Sequence, residues 1–304
     1  MTFEQLRIFV AVAQQQHMTR ASRALNLTQS AVSGAIGALE ARHGVCLFDR
    51  VGRGVALNEA GRILLGEAQA ILAQVAAAET SLADFGALRR GRLTIHASQT
   101  IASYWLPKRL VAFHAAHPGV ELDVRVGNTR EAAVAVRSGE ADLGYVEGEV
   151  HDPALTDEAV GGDRLVVLIK PDHFWAQQDR LTADDLRAES WVLREVGSGT
   201  RSSLEAALKE VGVTPETLRV ALTLPSNEAV LAAAAAGAGA AALSENVAAG
   251  ALARGVLVKA PLGLPGRTYR LLRHKLRYRT RAAEAFVELA REIRDQEPDH
   301  SYVI

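Results

Sequence analysis

A single cysteine, Cys46, stands among 304 residues, so no internal disulfide can form and a reducing compartment is the expectation. Long apolar runs are missing as well. The longest, Ala229–Leu243, is mostly Ala and Gly, too short and too weakly apolar to span a bilayer. The N-terminal stretch MTFEQLRIFVAVAQQQH carries Glu4 and a polar residue every few positions, which argues against a secretory signal and makes the cytoplasm the expected location. Net charge is nearly absent: 34 Lys and Arg face 35 Asp and Glu, for a total of -1. That total speaks against a generic nucleic-acid binder only if the charge is spread evenly. The hydrophobic and charged fractions, 48% and 23%, exclude disordered and fibrous classes. At about 100–200 residues per domain, the length suggests two or three domains.

What is present is unevenly placed. Residues 1–65 hold no lysine but carry Arg7, Arg20, Arg23, Arg42, Arg50, Arg53 and Arg62 against Glu4, Glu40, Asp49 and Glu59. This segment is therefore about +3 and the remainder about -4, a small basic unit on an acidic body. Within it, Thr2 and Gln5 have capping-box spacing, and Leu6, Phe9, Val10 and Ala13 share one helical face. A second helix is expected from Thr19 as N-cap to Asn26, with Ala21, Ala24 and Leu25 turned inward. Thr28 then caps a third, with Ala31, Val32, Ala35, Ile36 and Leu39 on its apolar side.

Two short helices joined by Asn26-Leu27-Thr28 make a helix-turn-helix, whose second helix can enter the DNA major groove. Gln29, Ser30 and Ser33 lie on its outward face, where amides and hydroxyls can reach base edges. Residues 47–57 read as a hairpin wing that brings Arg50 and Arg53 to phosphate or the minor groove. An ordinary helical cap with a surface hairpin is the competing reading. The small inward residues, the uncharged polar face and the Arg-Gly-Arg turn favour DNA.

The stretch TRASRALNLTQSAVSGAIGALEARHGVCLFDRVGRGVALNEAGRILL resembles the winged helix-turn-helix of LysR-type transcriptional regulators. The likeness is dense through residues 1–65. It implies DNA contacts from Thr19, Arg20, Thr28, Gln29, Ser30, Ser33, Arg50 and Arg53. Two departures stand out. Ser30 occupies a position where many members have Pro, and Gly34, Gly37 and Ala38 replace the Arg or Lys common further along that helix. More of the affinity then falls on Arg50, Arg53 and backbone contacts.

From Asn58, a plausible N-cap, the pattern stays helical to about Leu88. Leu64, Ala68, Ile71, Val75, Ala78, Leu82 and Phe85 alternate by four and three, which is a coiled-coil seam. Such a stripe calls for a partner chain, although a helix docked on its own domain is the alternative. The family resemblance implies a homodimer through this helix and commonly a homotetramer. The domains are accordingly 1–58 for the winged helix, 59–90 for the linker helix and 91–304 for the body.

In the body, strands and helices alternate, which signals α/β units with mostly parallel sheet. In such sheets ligands lie beyond the carboxyl ends of strands, often at helix N-termini. Four junctions carry small polar residues: Ser98-Gln99-Thr100, Gly127-Asn128-Thr129, Gly197-Ser198-Gly199-Thr200-Arg201 and Ser226-Asn227-Glu228. Each taken alone is a helix cap. Together they suggest convergence on one small polar ligand. Gly197–Arg201 is the strongest, because its glycines allow close backbone approach and Arg201 can neutralise charge. Arg194 at a strand end can face the cleft or a surface partner, and Glu147 can orient a ligand or sit in solvent.

The segments VGNTREAAVAVRSGEADLGYVEG, REVGSGTR and LPSNEAVLAAAAAGAGAAALSEN resemble LysR-type effector-binding domains, closest to the branch of sulfur-assimilation and carbon-fixation regulators. The resemblance implies a two-lobed, periplasmic-binding-protein-like fold. Lobe I would be 91–162 plus 267–304, and lobe II 163–266. It also implies a small anionic effector, an oxyanion or a carboxylate or phosphate metabolite, between them. No cofactor or metal is expected: His114 and His117 share a helix without a third ligand. Gly237–Ala242 has the wrong strand–helix order for a dinucleotide fingerprint. Ser198 lacks a His/Asp pair, so no enzyme is expected. Cys46 is expected in the core beside Leu47 and Phe48, and the basic run Arg267–Arg281 on an exposed strand face. The expectation is a regulator that binds double-stranded DNA upstream of its targets and is switched by this effector. The rival is a cytosolic binding protein or enzyme with no DNA role.

Overall fold

The structure, a computed structural model, describes residues 1–52, 54–83 and 91–296 and divides into two compact units, Met1–Phe85 with Arg137–Glu140, and Gly86–Val136 with Ala141–Ile304. In the first, helices α1 (Phe3–Gln15), α2 (Met18–Ala24) and α3 (Gln29–His43) precede a hairpin of β1 (Phe48–Val51) and β2 (Gly54–Leu57), then the long helix α4 (Glu59–Ala83). Thr2 and Gln5 form the full capping box of α1. Leu6, Phe9, Val12, Ala21, Val32, Ile36 and Leu39 form one buried core. The wing is pinned to this core because the Val55 N–H donates to the Gln16 carbonyl at 3.0 Å.

Several expectations fail here. Thr19 lies inside α2, which is capped by His17, whose Nδ1 accepts from the Thr19 N–H at 3.2 Å. Ala24 and Ala31 are exposed, since the helix crossing needs small residues only where Ala21 and Ala35 lie. Cys46 is exposed, because the chain leaving α3 turns Leu47 rather than its neighbour into the core. Ala68 of the seam is fully buried and Leu64 and Ile71 pack on the same core, so that part of the stripe is covered by its own unit. Val75 is half-buried and Ala78 exposed. Arg53, the Leu82 side chain and Phe85 lie outside the described residues.

The second unit carries β3 (Gly91–Ser98), α5 (Gln99–Tyr104), α6 (Leu106–Ala116), β4 (Val120–Gly127), α7 (Thr129–Ser138), β5 (Leu143–Glu147) and β6 (Leu155–Ile169). Then follow α8 (Ala183–Ala188), β7 (Ser190–Arg194), α9 (Gly199–Glu210), β8 (Arg219–Leu224), α10 (Asn227–Ala235) and β9 (Ala240–Ser244). Helix α11 (Glu245–Ala253), β10 (Val258–Lys259), β11 (Gly266–His274) and α12 (Arg281–Gln296) complete it. The strand order is β4-β3-β5-β11-β6-β9-β7-β8, with β10 beside β6.

Two parallel triplets, β4-β3-β5 and β8-β7-β9, thus flank the antiparallel pair β11 and β6. Strand β6 pairs β11 from Leu155 to Arg164 and β9 from Leu165 to Leu168, so it crosses from one half to the other. Gly161-Gly162 lie within this strand and do not break it. Separate cores form on each side. One contains Leu93, Ile95, Phe113, Tyr145, Val160 and Phe286. The other contains Val167, Trp175, Trp191, Leu204 and Leu218. Helices α5 and α6 meet at Trp105. Among the described residues, no helix is long and apolar enough to cross a membrane.

Candidate DNA-reading surface and effector cleft

The helix-turn-helix is set by local chemistry. Asn26 sits at φ 54, a left-handed conformation that Asn tolerates, and this reverses the chain after α2. Thr28 Oγ1 accepts from the Ala31 N–H at 3.2 Å and starts α3. Ser30 Oγ lies 3.1 Å from Thr28 Oγ1, and Gln29 Nε2 donates to Ser33 Oγ at 3.2 Å. Thr28, Gln29, Ser30, Arg20 and Arg50 are exposed; Thr19 and Ser33 are partly so. Asn58 caps α4, accepting from Gly61 N–H at 2.9 Å and donating to the Cys46 carbonyl at 2.8 Å. Arg62, by contrast, donates to the Leu57 carbonyl and supports the wing's return.

In the larger unit, the four polar junctions fall at the carboxyl ends of β3, β4, β7 and β8. A narrow cleft is lined by Ser98, Gln99, Thr100, Gly127, Asn128, Thr129, Glu147, Arg194, Ser198, Gly199 and Thr200. It encloses about 160 Å³ including its open mouth, and no part is wide enough for a water molecule. Hydrogen bonds between the two halves hold it shut. Gln99 Oε1 accepts from the Asn227 N–H at 2.9 Å, and Asn227 Nδ2 donates to Thr100 Oγ1 at 3.2 Å. Asn128 Nδ2 donates to Glu195 Oε1 at 3.3 Å, and the Arg130 N–H to the Gly197 carbonyl at 3.2 Å.

Gly199 shows how closely the halves approach. A Cβ there would lie 2.3 Å from the Glu147 carbonyl oxygen, so only glycine lets the first turn of α9 meet the end of β5. Thr129 Oγ1 donates to that same carbonyl at 3.0 Å. Ser98 Oγ is buried without a hydrogen-bond partner, although Ser98 stands at the N-cap of α5. Ser198 precedes α9 and likewise makes no side-chain cap bond.

Four expected residues lie outside the lining. Gly197, at φ 102, makes the turn before α9. Ser226 caps α10 through the Ala229 N–H. Asn227 is buried behind the cleft and accepts from Arg194. Arg201 was expected to supply charge; it belongs to α9, where it pairs with Glu205 at 2.7 Å, one helical turn away, and donates to the Arg194 carbonyl. Arg194 is buried and grips Glu195 through both Nε (2.8 Å) and Nη2 (3.0 Å), so it is neither at the surface nor free of an acid.

The buried charge beside the hydroxyls comes from a residue assigned by sequence to an exposed face. Arg267 donates from Nη1 to Thr200 Oγ1 at 2.9 Å and from Nη2 to Asp163 Oδ2 at 2.8 Å, with a second bond to Asp163 through Nε. Glu147 Oε1 lies 3.8 Å from Arg267 Nη2. Ser244 donates to Asp163 as well. Burial disfavours the Arg267 charge, but Glu147 and the Asp163 bonds and charge outweigh it and push the guanidinium above its ordinary range. Arg267 and Asp163 face each other across β11 and β6. Nothing local marked Asp163, Ser244 or Arg267, because their partners are brought in by strand pairing between distant segments. Among the described residues, no group of three His, Cys, Asp or Glu could hold a metal ion.

Both units match known families. Residues 3–62 match the bacterial regulatory helix-turn-helix protein family, lysR family, and residues 86–294 match the LysR substrate binding domain. The chain is 34% identical over 290 residues to the HTH-type transcriptional regulator YeiE of Escherichia coli K12, covering 94% of this chain and 96% of that one. It is 32% identical over 292 residues to a probable RuBisCO transcriptional regulator of Trichormus variabilis, covering 94% and 86%. The regulatory domain of Synechocystis CcmR, solved in complex with 2-PG, superposes with a TM-score of 0.62 at 26% identity, covering 69% of this chain and all of that one. The chain therefore belongs to the LysR family and is a DNA-binding transcriptional regulator with an effector-binding domain.

Proposed function

We propose that the cleft between the two parallel triplets is the effector site, and that its ligand is a small oxyanion, carboxylate or phosphate metabolite. The observation that carries this is Ser98 Oγ, buried and unpartnered beside the hydroxyls of Thr100, Thr129, Ser198 and Thr200. A polar group left this way has a cost that a ligand removes. The 2-PG complex of the CcmR regulatory domain supports an anion. Arg267 and Arg194 already hold carboxylates, so the anion would be met mainly by hydroxyls, backbone N–H groups and the Arg267 edge at Thr200. Entry requires the Gln99–Asn227 and Thr100–Asn227 bonds to open, which links occupancy to the angle between lobes 91–162 plus 267–304 and 163–266.

On the DNA side, Gln29, Ser30 and Ser33 would read bases while Arg20, Arg50 and Arg53 meet phosphates. A second copy of the chain would join along α4, where an open apolar hollow of about 350 Å³ is lined by Val45, Ala60, Ile63 and Leu64. A dimer so formed presents two half-sites, in keeping with a cytoplasmic protein acting on upstream DNA. A ligand that prefers one lobe arrangement by about 1–3 kcal/mol suffices for switching.

The test is a thermal-shift screen of small oxyanions and carboxylates, 2-PG included, on the full chain. A ligand at 100-fold excess over its Kd stabilises by about 2.7 kcal/mol. Thr200→Ala should abolish the shift. A shift unchanged by that substitution would place the ligand elsewhere.

A further inference from the structure

The basic run that the effector site does not absorb gathers at the far end of the same sheet. Arg273 and His274 end β11, and Arg277, Tyr278, Arg279 and Thr280 lead into α12. With Asp142, Leu143, Ala283 and Glu284 they line a cavity of about 30 Å³, enough for about two waters or one small oxyanion. Arg273 gives Nη2 to Glu158 at 2.8 Å, but its Nε is buried without a hydrogen-bond partner. Arg277 is anchored through Nη1 on the Val136 carbonyl at 2.8 Å. Arg279 is exposed and, among the described residues, has no ion pair or hydrogen bond. Asp142 accepts from the Thr94 N–H at 2.8 Å and also attracts Arg277, and Glu284 is the second acid on the wall.

Of the three guanidiniums, Arg279 repels Arg273. Arg273 is driven below its ordinary range first by burial and then by Arg279. Arg277 is lowered by burial against the pull of Asp142. His274 is lowered by burial and by Arg277, with Asp152 acting the other way. Glu158 offsets the Arg273 charge and Asp142 attracts Arg277, but the buried Arg273 Nε has no acceptor and Arg279 has no acid partner among the described residues; a bound anion supplies both.

We propose that this cavity, formed by Arg273, Arg277 and Arg279 with His274 at its edge, is a second anion site that takes a free tetrahedral oxyanion such as phosphate or sulfate. The site is separate from the effector cleft and stands without it. Strands β5 and β11 run between the two: β5 has Leu143 at the cavity and Glu147 at the cleft, and β11 has Arg273 at the cavity and Arg267 at the cleft. Helix α7 spans the same interval, with Thr129 at the cleft and Val136 holding Arg277. An anion here would therefore stiffen the elements that carry half of the cleft.

The test follows the His274 ring signals of the full chain by NMR in a pH titration. Phosphate, sulfate and chloride are compared at matched ionic strength. Phosphate or sulfate should raise the His274 pKa by about half a unit or more over chloride, because the anion favours imidazolium. Arg279→Gln, at an exposed position, should remove most of that rise, and Arg279→Lys should keep part of it. Thr200→Ala, in the other site, should leave it intact. The proposal is overturned if oxyanions and chloride behave alike, or if the rise survives Arg279→Gln. It is equally overturned if only DNA moves the signals, which would make the patch a backbone contact.

Discussion

The DNA-reading unit and the effector-binding unit place their polar residues in opposite ways. In the first, Gln29, Ser30, Arg20 and Arg50 are exposed, and the side-chain bonds at the head of α3 span only three or four residues. In the second, Ser98, Thr100, Glu147, Arg194, Thr200 and Arg267 are buried, and the partners of Thr100 and Arg267 lie 127 and 104 residues away. A duplex is large and must be met by a convex surface, whereas a small metabolite must be surrounded. The consequence is energetic. The exposed residues proposed to read DNA can be changed with little effect on folding, while the cleft residues are part of the structure that holds the sheet together.

That contrast can be broken at its strongest point. Asp163→Ala leaves Arg267 buried without its main partner and should cost about 3–5 kcal/mol of stability in urea unfolding. A loss below about 1 kcal/mol would mean that water or Glu147 replaces Asp163, and the cleft would not be structural in this sense. Gly199→Ala places a Cβ 2.3 Å from the Glu147 carbonyl. It should cost about 1–3 kcal/mol, and the variant should bind effector with altered affinity because the halves are forced apart.

Smaller effects sharpen the other side. Thr28→Ala removes the N-cap of α3 and should lower stability by about 1 kcal/mol while weakening DNA binding, since the cap also seats the reading helix. Arg50→Ala should leave unfolding within about 0.5 kcal/mol of the parent. Its effect belongs in DNA affinity, with a salt-dependence slope reduced by about 1 if one phosphate contact is lost. A destabilised Arg50→Ala, or one with an unchanged salt slope, would remove the distinction between the two kinds of surface.

Legibility from sequence followed the same division. Thr28 and Asn58 were readable as caps because an N-cap acts on an N–H two or three positions away. The junctions at Ser98, Asn128, Ser198 and Ser226 were readable as strand ends followed by small polar residues, although Ser98 and Ser198 make no side-chain cap bond. Arg201 was misplaced because sequence does not say where a helix begins. Once α9 starts at Gly199, the Arg201 side chain meets Glu205 along its own helix. Cys46 and Leu47 are adjacent, and which of them enters the core depends on the direction of the chain leaving α3. The seam residue Ala68 fits a heptad and a docked helix equally well, and the core beneath α4 decides between them.

The sequence by itself determined the helix-turn-helix, its caps, the alternation of strands and helices, and the family to which the chain belongs. Each is written in spacings shorter than a turn or a strand, or in motifs that survive as words. The tertiary structure alone decided that Arg267 rather than Arg201 brings charge to the cleft, and that Asp163 receives it. It also drew the basic run around a cavity in place of an open face. These depend on the register between β6 and β11 and on the closure of two halves, and contact free energy across about a hundred residues leaves no local periodicity to read.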